Sequence, residues 1–210
     1  PVADLAQAGV LRVAVPGDTE AVVNARLVST SGAAPLPGGG VQRIAGGSSV
    51  DIPLADVPAG TYAVEINADL PVVTAVFSAA RAASEPGDFA WTPASATLGP
   101  LFGLPLPELG AGTRQLALVS SGADATVTVT TRGQTVTAKD VSLPADTLVL
   151  VDLPGAQSVW VATGEGRDSG EGVHGAVLST VGTGPTRLLA ATPLLDVLLE
   201  ASTTSASPLP

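Results

Sequence analysis

Hydrophobic and polar residues alternate along most of this chain. Tyr62, Val64, Ile66 and Ala68 fall on one side of a strand, and Thr61, Ala63, Glu65 and Asn67 on the other. Period two is the mark of a strand with one buried face. Residues 72–79 repeat the pattern after Asp69-Leu70-Pro71, so the two segments are expected to pair as a hairpin. The same reading places strands over residues 11–15, 21–29 and 41–44, and an edge strand or strand end over 50–54 because of Pro53, while 84–88 reads as a loop and 89–92 leads to Pro93. Further strands are expected around Leu116 and Leu118, around Val127 and Val129, and over 136–143, 147–153, 158–163, 173–181 and 186–191. Residues 31–40 contain Pro-Leu-Pro-Gly-Gly-Gly and read as a loop. Residues 2–10 read as a weak lead-in, 194–200 as one or two helical turns, and 202–210 as an extended tail.

Four local matches recur in the same order about a hundred residues apart. Arg12-Val13-Ala14-Val15 aligns with Gln115-Leu116-Ala117-Leu118. Glu20-Ala21-Val22-Val23-Asn24-Ala25 aligns with Asp124-Ala125-Thr126-Val127-Thr128-Val129. Ala75-Val76-Phe77-Ser78 aligns with Ala176-Val177-Leu178-Ser179, and Trp91-Thr92-Pro93 with Ala191-Thr192-Pro193. A hundred residues with about seven short strands is the size of one immunoglobulin-like sandwich. The expectation is therefore an all-β protein of two tandem immunoglobulin-like antiparallel β-sandwiches. Unit 1 is expected over residues 1–97 and unit 2 over 113–200, with a Pro/Gly-rich packed connection at 98–112 and an extended tail at 201–210.

Composition sharpens the class. The 24 Gly and 18 Pro suit many short strands and turns, and oppose long helices. A net charge of −10, with Lys139 the sole lysine, repels phosphate backbones and anionic lipid. No nucleic-acid partner is expected, and a membrane only through an anchor outside this chain. With no Cys, there is no disulfide, thiolate metal site or thiol nucleophile. With no Met, the chain reads as a fragment of a longer parent.

The motifs also resemble a family. Leu11-Arg12-Val13-Ala14-Val15-Pro16-Gly17, Leu36-Pro37-Gly38-Gly39-Gly40, Val57-Pro58-Ala59-Gly60-Thr61-Tyr62-Ala63-Val64 and Trp91-Thr92-Pro93-Ala94 carry the likeness. Together they resemble an uncharacterised extracytoplasmic family of actinobacteria, a domain of unknown function with tandem β-sandwich units. The resemblance implies a cell-envelope location and genes near envelope glycosyltransferases. It brings no catalytic residues.

Candidate chemistry is sparse. His174 is the one histidine, expected on a strand. A triad needs a hydroxyl and a carboxylate within reach of the ring, and no Gly-x-Ser-x-Gly elbow is present. Glu165, Asp168 and Glu171 lie on a glycine-rich loop where a hard cation such as Ca²⁺ wants several oxygens, but their spacing fits no known calcium loop. Arg167 supplies a countercharge, so a solvated hairpin loop is the simpler reading. Trp91 and Trp160 are either sugar-stacking platforms or apolar anchors, and the scarcity of aromatics favours anchors. No catalytic, cofactor or metal residue is assigned. The expectation is a non-catalytic extracytoplasmic interaction or structural module, with envelope proteins or glycans as partners. The alternative is a carbohydrate-binding module or an accessory domain of an envelope hydrolase.

Overall fold

A computed structural model describes residues 9–37, 40–58, 60–80, 88–110, 112–163, 172–182 and 188–196. Among these residues every regular element is a strand, and every ladder is antiparallel. The first half contains β1 (Val10–Ala14), β2 (Ala21–Ser29), β3 (Gly32–Pro35), β4 (Val41–Ile44) and β5 (Ser49–Pro53). It continues with β6 (Ala63–Ala68), β7 (Val73–Ala80) and β8 (Asp88–Pro93). Next come β9 (Leu101–Pro105), β10 (Gly112–Ser120), β11 (Ala125–Arg132), β12 (Val136–Leu143) and β13 (Leu148–Asp152). β14 (Ser158–Ala162), β15 (Val173–Val181), β16 (Leu188–Pro193) and β17 (Leu195–Asp196) complete the order.

These strands make four sheets. Sheet I runs β5-β1-β7-β8. Sheet II centres on β2, with β3 and β4 end to end along one edge and β6 along the other. Sheet III runs β13-β10-β15-β16, and sheet IV runs β12-β11-β14-β9-β17. Sheets I and II close on one core through Leu11, Val13, Val23, Leu27, Ile44 and Ile52. Sheets III and IV close on another through Leu116, Leu118, Val127, Val129, Val159 and Val161. The reason is local: alternate apolar residues on each strand point to one face, and two such faces hide each other from water.

The expected hairpin does not form. β6 pairs with β2 in sheet II, while β7 pairs with β1 and β8 in sheet I. The chain changes sheet at Asp69-Leu70-Pro71. Pro71 has no N–H for a ladder, and Asp69 Oδ1 accepts the Val22 N–H at 2.8 Å, tying the corner to sheet II. Three further readings need correction. Part of the loop at 31–40 is β3, which pairs with the second half of β2. The stretch read as a packed connection contributes β9, which pairs with β14 and places Phe102 and Leu104 in the second core. Leu195 and Asp196, expected in a helical turn, pair with β9 as a strand. Residues 197–200 and the tail at 201–210 lie outside the described residues.

The two strand orders correspond. β5-β1-β7-β8 in sheet I has the same relative order as β13-β10-β15-β16 in sheet III. The registers correspond too: Ala75, Val76 and Phe77 face Pro93, Thr92 and Trp91, as Ala176, Val177 and Leu178 face Pro193, Thr192 and Ala191. One of the sequence matches is out of register. Leu11 faces Val76, and Leu116 faces Val177, so Leu11 is the counterpart of Leu116 and Arg12 of Ala117. The alignment read from sequence was displaced by two residues, a shift that leaves the inward and outward sides unchanged.

The halves meet on the outer face of sheet III. Ala117, Val119, Leu148 and Leu178 are buried there with Val28 of β2, and Ala63 of β6 packs against them. At the rim, the Leu189 N–H donates to Asp88 Oδ2 at 2.8 Å.

Candidate functional site

Three places combine polar chemistry with a defined surface. The first is the outer face of sheet I. Arg12 projects from β1 between the buried Leu11 and Val13. Its cross-strand neighbour on β5 is Asp51. Arg12 Nε donates to Asp51 Oδ1 and Nη2 to Oδ2, each at 2.7 Å, a two-pronged pair that fixes the guanidinium plane. The bonds and charge of Arg12 hold the Asp51 carboxyl below its ordinary pKa. On the other side Arg12 faces Ala75, whose small side chain leaves room above β7. Trp91, on β8, reaches over this gap, and the guanidinium carbon stands 5.0 Å from the centre of its ring. A cation over an aromatic face is an attractive contact.

Phe77 faces Trp91 in the ladder, their ring centres 5.2 Å apart. Phe89 closes the group at 5.9 Å from Phe77. Phe89 is 62% exposed, Trp91 43% and Val73, on the same face, 64%. Large apolar side chains therefore gather in the open on one sheet face and are not scattered singly. The rings of Phe77 and Trp91 are inclined by 54°, so they form a ridge and not a flat platform.

The second place is a cleft of about 270 Å³ where the halves meet. Leu11, Val28, Val64, Val119 and Leu148 are among its walls, and Glu65, Ser95, Ser121 and His174 lie around it. His174 is partly buried, facing Val119 in the ladder of β10 with β15. Among the described residues no hydroxyl or carboxylate is hydrogen-bonded to its ring, so these groups do not form triad geometry.

The third place is the polar bridge between the halves. Arg26 Nη2 donates to Glu65 Oε2 at 2.8 Å and to Asp146 Oδ1 at 2.6 Å. Asp146 Oδ1 also accepts the Gly122 N–H at 2.9 Å. Asp146 holds a left-handed backbone (φ 53°), which its short polar side chain tolerates. The Gly122 N–H, then Arg26, lowers the Asp146 pKa from its ordinary value. The Arg26 Nε is buried without a partner among the described residues.

Trp160 is partly buried on β14 and lies across Gly103 of β9, where any Cβ would collide with the ring. Its Nε1 donates to Ser158 Oγ at 3.3 Å. Trp160 is thus an anchor and Trp91 a surface residue, so the two tryptophans do not share a face. Glu165, Asp168 and Glu171 lie outside the described residues, and among the described residues no three acidic or histidine side chains gather around a metal-sized space. Sequence reading missed the ridge, though Phe89, Trp91 and Pro93 alternate on one side of β8. It also missed Arg12 with Asp51, which lie 39 residues apart.

The architecture defines an all-β protein of layered antiparallel sheets, with an aromatic ridge on one outer face and a polar bridge between its halves. A family model matches residues 2–154, and the chain belongs to that family, the family of unknown function DUF5719. No curated protein and no solved structure matches the chain.

Proposed function

We propose that the chain is a non-catalytic interaction module of the cell envelope, built from two duplicated immunoglobulin-like sandwiches. Its working surface is the outer face of sheet I. The observation that carries this reading is a contrast between matched faces. On sheet III the face around Leu178 and Ala191 is covered by the first half, through Val28 and Ala63. On sheet I the face around Phe77 and Trp91 is open, yet carries larger apolar groups. An apolar face kept in the open is costly in water and gains free energy when a partner covers it.

A glycan is the second reading. Trp91 beside the Arg12–Asp51 pair offers a ring and polar groups together. The inclined rings favour a protein partner over a flat glycan chain, which stacks best on coplanar rings.

The test is capture from envelope extract by the full-length protein and by Phe89→Ser and Trp91→Ser variants, with protein and polysaccharide fractions separated. The reading expects a protein captured by the wild type and lost by both variants. A hydrolase screen showing turnover that disappears in His174→Ala contradicts the non-catalytic part. A parent protein confined to the cytosol contradicts the envelope part.

A further inference from the structure

We infer that the outer face of sheet I is a self-association surface, on which two copies of the chain pack face to face about a two-fold axis. The inference rests on the reading of this face as the working surface and names its occupant.

The first argument is internal precedent. The ladders make Arg12, Asp51, Phe77, Phe89 and Trp91 the counterparts of Ala117, Leu150, Leu178, Leu189 and Ala191. In the second half Ala117, Leu150, Leu178 and Ala191 of that set pack against another part of the same chain. This architecture therefore already covers such a face with a sandwich of its own kind. The patch that does so, around the cross-strand pair Val28 and Ala63, is occupied within each copy and is not free to cover a second face. A face-to-face pairing of two open sheet I surfaces remains, and it is isologous: each ridge serves as both donor and receiver, so assembly closes at two.

The second argument is charge. The chain carries −10, and two copies repel over most of their surface. On the outer face of sheet I the charged residues of β1, β5 and β7 are Arg12 and Asp51, which neutralise each other laterally. β8 adds Asp88 at its end, where it accepts the Leu189 N–H. The aromatic ridge is thus a neutral area through which like-charged copies can approach.

Size sets the strength. Four strands about 4.8 Å apart and about six residues long give a face of roughly 20 by 20 Å. Two such faces bury well below the roughly 1,600 Å² of a standard interface, so the dimer is weak and concentration-dependent.

Sedimentation equilibrium from about 10 μM to about 1 mM, at moderate salt, tests the inference. The wild type is expected to shift from monomer to dimer and stop there. Phe89→Ser and Trp91→Ser each raise the dissociation constant at least about tenfold. Phe89→Ser, at the more exposed ring, leaves thermal stability unchanged, whereas Trp91→Ser lowers it modestly because its contacts with Arg12 and Phe77 are lost. The chain has no native Cys, so Val73→Cys carries one spin label, and dipolar distances should show a close label pair that the Trp91→Ser background abolishes. A monomer at every concentration overturns the inference, as does a dimer indifferent to both substitutions or growth beyond the dimer. If the wild type is monomeric while the variants still lose a captured envelope protein, the interaction reading stands and self-association falls.

Discussion

Phe77 and Leu178 hold the same place in two matching ladders, Phe77 opposite Trp91 and Leu178 opposite Ala191, yet only Leu178 is buried beneath another part of the chain. The difference is one of surroundings and not of strand geometry. It separates side chains packed between the halves from side chains left in the open.

That separation predicts unequal costs. Leu178→Ala removes a packed side chain between the halves and is expected to destabilise by about 2–4 kcal/mol. Phe89→Ser, on the open face, is expected to change stability by no more than about 0.5 kcal/mol. Urea denaturation of the two variants beside the wild type measures both. Equal losses would mean that the ridge is part of the folded core.

Arg26 is expected to couple the halves. It binds Glu65 of its own half and Asp146 of the other. Arg26→Ala leaves both carboxylates without their cation and is expected to cost about 1–3 kcal/mol. Calorimetry is the direct check: one transition in the wild type should broaden or split in the variant. A single sharp transition at an unchanged temperature would show that apolar contacts alone join the halves.

Asp146 gives this bridge a pH dependence. Its folded pKa lies below the ordinary carboxylate value, first through the Gly122 N–H and then through Arg26. A lowered folded pKa contributes stability that is complete above the unfolded pKa and is lost as pH falls through the folded one. Stability should therefore decline on acidification below the ordinary carboxylate range, and Asp146→Asn should flatten part of that decline. Denaturation midpoints from neutral to acid pH compare the two proteins. Parallel curves would remove Asp146 from the account.

Much of the fold was legible in the residues. Ala21, Val23, Ala25 and Leu27 alternate inward along β2 as their pattern required, and Val127 and Val129 do so along β11. Alternation reports which face is buried and says nothing of which neighbour lies alongside. That is why β6 and β7 read as a hairpin although a corner sends them to opposite sheets. The two-residue slip between Arg12 and Gln115 has the same origin, since a period-two pattern matches itself at any even shift. β9 was hidden because Pro100 and Pro105 bracket it and look like loop, whereas the prolines sit at its boundaries. The ridge needed β7 and β8 to be placed side by side before Phe77 could meet Trp91.

Gly103 tests the packing of the second half. A methyl group there collides with the Trp160 ring. Gly103→Ala is expected to displace Trp160, shift its emission to the red and destabilise by about 1–3 kcal/mol. Unchanged emission and stability would show that the ring does not rest on β9.

Collisional quenching of Trp91 tests the central claim most directly. In a Trp160→Phe background Trp91 is the sole tryptophan, and a neutral quencher such as acrylamide reports its access to solvent. An open docking face predicts ready quenching in dilute protein and clear protection once the face is covered at high protein concentration or by a captured partner. A Trp91 already shielded in the dilute monomer, or equally open under all of these conditions, would contradict the account.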